Sequence, residues 1–304
     1  MNKGYFLVFL TAIISGFAIF INRFGVGVLN PFIFTWLKNI TVAFLLTGLL
    51  FVLKEWRTLK KLTKKHWFSL LAIGLMGGSV PFLLFFKGLS LTTAVKGAFL
   101  HKTMFLYVAV IAAIFLKEKI NKSFFLGGLF LLLGNLLLLK KFPYSINQGD
   151  LFIFLATLFW AVENTISKYV LRELSGRVVA WGRMFFGSLF IFIFLLFTGQ
   201  LPLLSSLTFT QINWTIITSV FLFGYLITWY SGLKNIPVSQ ATVILLFGFP
   251  VTTLLSLIWA KQINSQEILA GILIILGIIL VLGLRKTWYS IKEIKKLILV
   301  YVRD

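Results

Sequence analysis

The chain has 304 residues, 59% of them hydrophobic and only 12% charged, with a mean hydropathy of +0.99. Soluble domains carry roughly 25% charged residues, so lipid is the main solvent here. The lack of cysteine excludes disulfides and thiol chemistry, and two histidines give no basis for a His-rich metal centre. The net charge of +21 does not point to nucleic acid, because the basic residues lie in short blocks between long apolar runs, as juxtamembrane charges do.

The first apolar run, 4–22, has no A-x-A cleavage site and reads as a retained span, not a removable signal. Further runs of about 20 apolar residues, the length a span needs, follow at 31–53, 67–87, 92–116, 123–140, 149–171, 178–198, 212–231, 237–260 and 266–285. They are too long for barrel strands and lack two-residue alternation. An all-α, ten-helix membrane protein is expected.

The connections alternate in charge. Lys3, the block from Lys54 to Lys65, Lys117, Lys119, Lys122, Lys168, Arg172, Arg177, Lys234 and the basic tail fall on one side. The other side has Arg23, Lys87, Lys140, Lys141 and Lys261. By the positive-inside rule, both termini are expected in the cytoplasm of a multi-pass cell-membrane protein.

The two halves repeat each other. Gly4, Arg23, Trp36 and Lys38 are matched 145 residues later by Gly149, Lys168, Trp181 and Arg183. Gly88-Leu89 returns as Gly232-Leu233, and Ile120-Asn121, Gly128 and Gly134 return as Ile263-Asn264, Gly271 and Gly277. Units at 1–145 and 146–285 with five spans each, an odd number, must enter the membrane in opposite directions. Such repeats place a binding site between them at the midplane. Residues 286–304 form a basic amphipathic tail, with Ile291, Ile294, Ile298 and Tyr301 on one face. Trp56, Leu59, Leu62 and His66 are spaced to share a face of a second interfacial helix, and both segments suit anionic lipids.

With WxK or WxR opening the second helix of each copy, and glycines in each fifth helix, the chain resembles the EamA-type branch of the drug/metabolite transporter superfamily. The resemblance covers roughly 1–285. Glu118 matches the acidic residue that family carries at the end of the fourth helix, while the second copy has Gln262; Pro250 matches its fourth-helix proline, where the first copy has Leu106. The resemblance implies a carrier of amino acids, other metabolites or drugs, commonly an exporter, with its cavity between the repeats.

Residues that hydrocarbon should exclude are the candidates for function. A charge at a span centre costs ~2.5–3.5 kcal/mol even on the lenient scale. Glu163 lies deep in the sixth span; Lys102, with His101 beside it, lies near the middle of the fourth. Lys102 and Glu163 are expected to approach each other across the repeat interface. Lys102 would attract a carboxylate or phosphate, and Glu163 an amine or a coupling proton; the alternative is a fixed ion pair joining two helices. Asn164, Asn22, Trp160 and Tyr230 are further candidates for the cavity wall, packing being the alternative for each. Lys96, Lys38, Arg183, Trp36 and Trp181 lie at span ends, as mouth or gate residues or as snorkelling and interfacial anchors. Pro81 is a plausible hinge. No cofactor or metal is called for.

The expectation is a secondary transporter of a small polar metabolite such as an amino acid. A passive facilitator or a flippase of lipid-like solutes is the alternative. An enzyme is disfavoured, since the acids are scattered and no Walker-type loop occurs.

Overall fold

The computed structural model describes residues 3–25, 30–137, 139, 146–260 and 265–284. Its helices are α1 (Lys3–Gly25), α2 (Pro31–Val52), α3 (Trp56–Leu59), α4 (Lys64–Gly78), α5 (Val80–Leu89), α6 (Ala94–Lys102), α7 (Met104–Phe115) and α8 (Lys122–Leu137) in the first half. The second half has α9 (Gln148–Val170), α10 (Gly176–Phe197), α11 (Phe209–Leu233), α12 (Val238–Leu245), α13 (Gly248–Ala260) and α14 (Ser265–Leu282). Nine described segments are long and apolar enough to cross a membrane, and the shorter apolar Lys122–Leu137 completes the ten spans.

Local chemistry sets the helix starts. Asn30 caps α2, with Pro31 in the first turn where a missing N–H costs nothing. Reciprocal capping boxes start α4 (Thr63 with His66), α9 (Asn147 with Asp150) and α11 (Thr208 with Gln211).

Three spans are broken part-way through. The third breaks at Ser79, just before Pro81, whose ring removes a donor from the helical ladder. The fourth breaks at Thr103, between α6 and α7. The ninth breaks at Leu246–Phe247, between α12 and α13. These last two breaks are matched positions of the two repeats.

The repeats interlock. The first span of each packs on the third of the other (α1 on α11, α9 on α4 and α5), the second on the second (α2 on α10) and the fifth on the fifth (α8 on α14). Gly127 and Gly277 show how close the fifth spans come: a Cβ on either would lie 2.6 or 2.8 Å from the other's carbonyl oxygen. Inverted symmetry also relates side-chain contacts at opposite ends of the bundle. Tyr5 Oη donates to Gln240 Oε1 at 2.5 Å, and the matched residues Asp150 and Lys96 form an ion pair at 3.1 Å.

The expected interfacial helix at residues 56–66 is corrected. Helix ends after one turn at Leu59 and restarts at Lys64; Leu59 and Leu62 pack on the protein core and His66 pairs with Glu173 at 2.7 Å. Packing on the protein core outcompetes the lipid surface for these apolar side chains. The tail 286–304 and Gln262 lie outside the described residues.

Candidate functional site

The Ser79 break builds the buried centre. In a continuous helix the Gly77 carbonyl would accept from the N–H four residues on, but that residue is Pro81. Two side chains from the second repeat take its place: Arg183 Nη2 and Trp160 Nε1 each donate to Gly77 O at 3.1 Å. The next carbonyl, Gly78 O, accepts from Asn39 Nδ2 at 2.8 Å. Glycine is required at 77 because a Cβ there would lie 2.4 Å from Glu163 Cγ.

Behind this carbonyl sits a buried network in which only Glu163 Oε2 and Arg183 Nε lack a hydrogen-bond partner. Glu163 is 0% exposed. Its Oε1 accepts from Tyr230 Oη at 2.7 Å and from Ser167 Oγ at 2.6 Å, and Arg183 Nη1 donates to Tyr230 Oη at 3.0 Å. Glu163 Oε2 faces Arg183 Nη1 at 3.5 Å. The pairing expected from the sequence is therefore corrected: the partner of Glu163 is Arg183, not Lys102. Arg183 is likewise no snorkelling anchor at a span end, since its guanidinium is bound on two sides within the protein. Tyr230, also 0% exposed, belongs to this network and does not offer its ring to a cavity.

Lys102 sits elsewhere. At the end of α6, partly exposed, its Nζ lies 4.0 Å from the centre of the Phe249 ring in the first turn of α13. One broken span thus touches the other. Among the described residues no carboxylate comes within ion-pair distance of Lys102. His101 packs against Trp160 (ring centres 4.8 Å apart) and Phe85 (5.5 Å), and its Nδ1 is buried without a hydrogen-bond partner. Trp160 joins the two regions, its indole N–H on Gly77 and its face against His101. Asn164 donates to Trp160 O at 2.8 Å and approaches Met104 Sδ beside the Thr103 break, a structural position. The side chain of Asn22 lies outside the described residues.

The candidate mouth residues separate into distinct environments. Lys96 pairs with Asp150, which also accepts from Thr92 Oγ1 at 2.6 Å. Lys38 rests over Phe34 at 5.1 Å. Trp36 packs on Phe192. Trp181 is buried, donates to Thr47 Oγ1 at 3.0 Å and stacks on Phe185.

At the end of the bundle that carries most of the basic residues, side chains cap helix ends, Glu118 across the seam between the repeats and Lys168 within the second repeat. Glu118 accepts from the N–H groups of Val238 (2.7 Å) and Ser239 (3.1 Å) and from Ser239 Oγ (2.5 Å). Lys168 Nζ donates to the carbonyls of Leu233 and Lys234, the end of α11. Beside them a depression of about 300 Å³ is lined by Glu118, Lys168, Arg172 and Pro237 among others.

Two ion pairs tie the α2–α4 connection to the α9–α10 connection at the same end: Glu55 with Arg177, and His66 with Glu173. Burial pushes the Glu55 carboxyl up, but hydrogen bonds from Arg177 and Ser175 more than offset it and hold the pKa below the ordinary value. Glu173 is held low chiefly by its His66 hydrogen bond. A carboxyl with a depressed folded pKa stabilises the fold above its unfolded pKa, ~4.3 for Glu, and that contribution is lost as pH falls through the folded value. Melting temperature should therefore drop on acidification below about pH 4.3, and Glu55→Gln should drop less. Identical pH profiles for the two proteins would refute this role for Glu55.

Ten spans in two inverted repeats, broken at matched points and closing on a polar centre, define a membrane transporter. The chain matches the EamA-like transporter family over residues 2–140 and 147–283, and it belongs to that family. Among similar proteins, the uncharacterized transporter YyaM of Bacillus subtilis is 27% identical over 245 residues, covering 77% of this chain and 79% of its own. The riboflavin transporter ImpX of Fusobacterium nucleatum is 28% identical over 300 residues, covering 91% of this chain and 96% of its own. A solved crystal structure with 15% identity superposes with a TM-score of 0.77 over 93% of this chain and 99% of the other, a likeness of fold alone.

Proposed function

We propose that the protein is a secondary transporter that exports a small anionic metabolite bearing a planar ring, by alternating access between the two repeats. One observation carries the reading: both fourth helices of the repeats break at matched positions, and there Lys102 rests on Phe249 with no carboxylate among the described residues within ion-pair distance. An intramembrane cation normally faces protein or water and has a partner, and a substrate anion would supply the missing one. Glu163 is fully buried and faces Arg183, so among the described residues no acid is open to a substrate amine, which favours an anion over a zwitterionic amino acid. His101, Phe85 and Phe249 are partly exposed aromatic rings in this region, with buried Trp160 packed behind His101 and Phe85, and the similarity to a riboflavin transporter supports a ring-bearing solute. The basic end of the bundle, with both termini, faces the cytoplasm in this reading.

The test is counterflow in proteoliposomes, with an aromatic acid, its neutral amide and a zwitterionic amino acid as solutes. The acid should show uptake accelerated by trans solute. Lys102→Gln should weaken its apparent affinity by about 10- to 100-fold, the worth of a hydrogen bond to a charged group. Full transport by Lys102→Gln would remove Lys102 from the site, and uptake without trans acceleration would favour a passive facilitator.

A further inference from the structure

The α2–α4 connection carries a dense, uncompensated positive charge at the membrane surface. Lys54, Arg57, Lys60, Lys61 and Lys64 are all exposed. Among the described residues the two neighbouring acids are spent elsewhere, Glu55 on Arg177 and Ser175, and Glu173 on His66. Among the described residues none of those five cations has an ion-pair partner. The segment is also held in place: Leu59 and Leu62 are anchored in the core, and Lys60 Nζ and the Arg57 guanidinium sit over the Trp56 ring at 4.8 and 5.8 Å.

Directly beside this charge the surface turns apolar. Phe51 is 59%, Val52 78% and Phe68 74% exposed, at the ends of the two spans the connection joins. Cations on one side and exposed aromatic and aliphatic groups on the other are the two halves of a phospholipid site. The headgroup phosphate meets Lys and Arg while the acyl chains cover the apolar flank. We propose that this lip binds anionic phospholipid headgroups specifically, and that bound lipid reinforces the clasp between the repeats, because the same connection carries Glu55 and His66.

The experiment uses the full chain in nanodiscs of phosphatidylcholine, with or without phosphatidylglycerol, reading melting temperature and, by native mass spectrometry, retained lipid. Phosphatidylglycerol should be retained over phosphatidylcholine by on the order of tenfold or more and should raise the melting temperature. A triple variant, Lys60→Gln, Lys61→Gln and Lys64→Gln, should lose most of that preference while melting normally in phosphatidylcholine. The tail variant Lys295→Gln/Lys296→Gln should keep it. Preference that survives the triple variant, or disappears in the tail variant instead, overturns the assignment. So does competition by soluble glycerol phosphate at the potency of the lipid, since the site would then read phosphate and not a membrane-bound headgroup.

Discussion

Arg183→Leu should cost most of the protein's stability, whereas Arg183→Leu combined with Glu163→Leu should recover much of it. Removing one partner of a buried ion pair leaves an uncompensated charge and costs about 3–5 kcal/mol, while replacing both with apolar groups is often close to neutral. Here the penalty falls on Glu163, 0% exposed, whose remaining partners would be the hydroxyls of Tyr230 and Ser167. The Gly77 carbonyl would lose one of its two donors as well. Set against total stabilities of ~5–15 kcal/mol, the single variant should melt far lower or fail to give a monodisperse peak in detergent. Lys102→Gln discriminates between the two pairings. If Lys102 were the partner of Glu163, it would cause the same collapse; with Arg183 as partner, Lys102→Gln stays folded and changes transport alone. A double variant no more stable than Arg183→Leu would show that the network does not act as a pair.

The spans, their number and their duplication were legible because apolar run length and odd span count are one-dimensional properties. Glu163 and Lys102 stood out for the same reason, as charges within apolar runs. Their partners were not legible, since partner choice depends on rotation about each helix and on which spans cross. Arg183 lies far enough from the span centre to pass for a snorkelling residue. A long side chain can equally run inward, and the Pro81-orphaned Gly77 carbonyl gives it a reason to do so. Pro81 and Gly77 were the available signal: a proline four residues after a glycine inside a span announces both an unpaired carbonyl and room beside it. The Trp56 to His66 spacing misled in the opposite way. The helix breaks between Leu59 and Lys64, so the four residues share no single face, and Leu59 and Leu62 pack on the protein core instead of lipid.

Glu118 should control which end of the pathway opens. Pro237 precedes α12 and its side chain offers no cap, so the buried N–H groups of Val238 and Ser239 and the positive dipole end are satisfied by a carboxylate from the other repeat. The matched helix of the first repeat needs no such help, because Thr93 caps it from within by accepting from Lys96 N. The two ends of the bundle are therefore closed by different chemistry. At the basic end the charge of Glu118 is part of the seam, and opening that end must separate it from α12. Hydrogen bonds to charged groups contribute about 1.5–3 kcal/mol each, so even partial loss shifts an open–closed equilibrium by roughly 10- to 100-fold. The cysteine-free chain makes this measurable. Ile236, 1% exposed beside the depression, can carry the reporter as Ile236→Cys. Adding Glu118→Ala should raise its maleimide labelling rate at least tenfold; Glu118→Gln, which keeps an acceptor and loses the charge, should fall between. Labelling that is unchanged by Glu118→Ala would mean that the seam is held by the packing of α1 on α11, with the carboxylate a passive cap. A faster rate accompanied by slower counterflow would show that transport requires this end to close as well as to open, as alternating access demands.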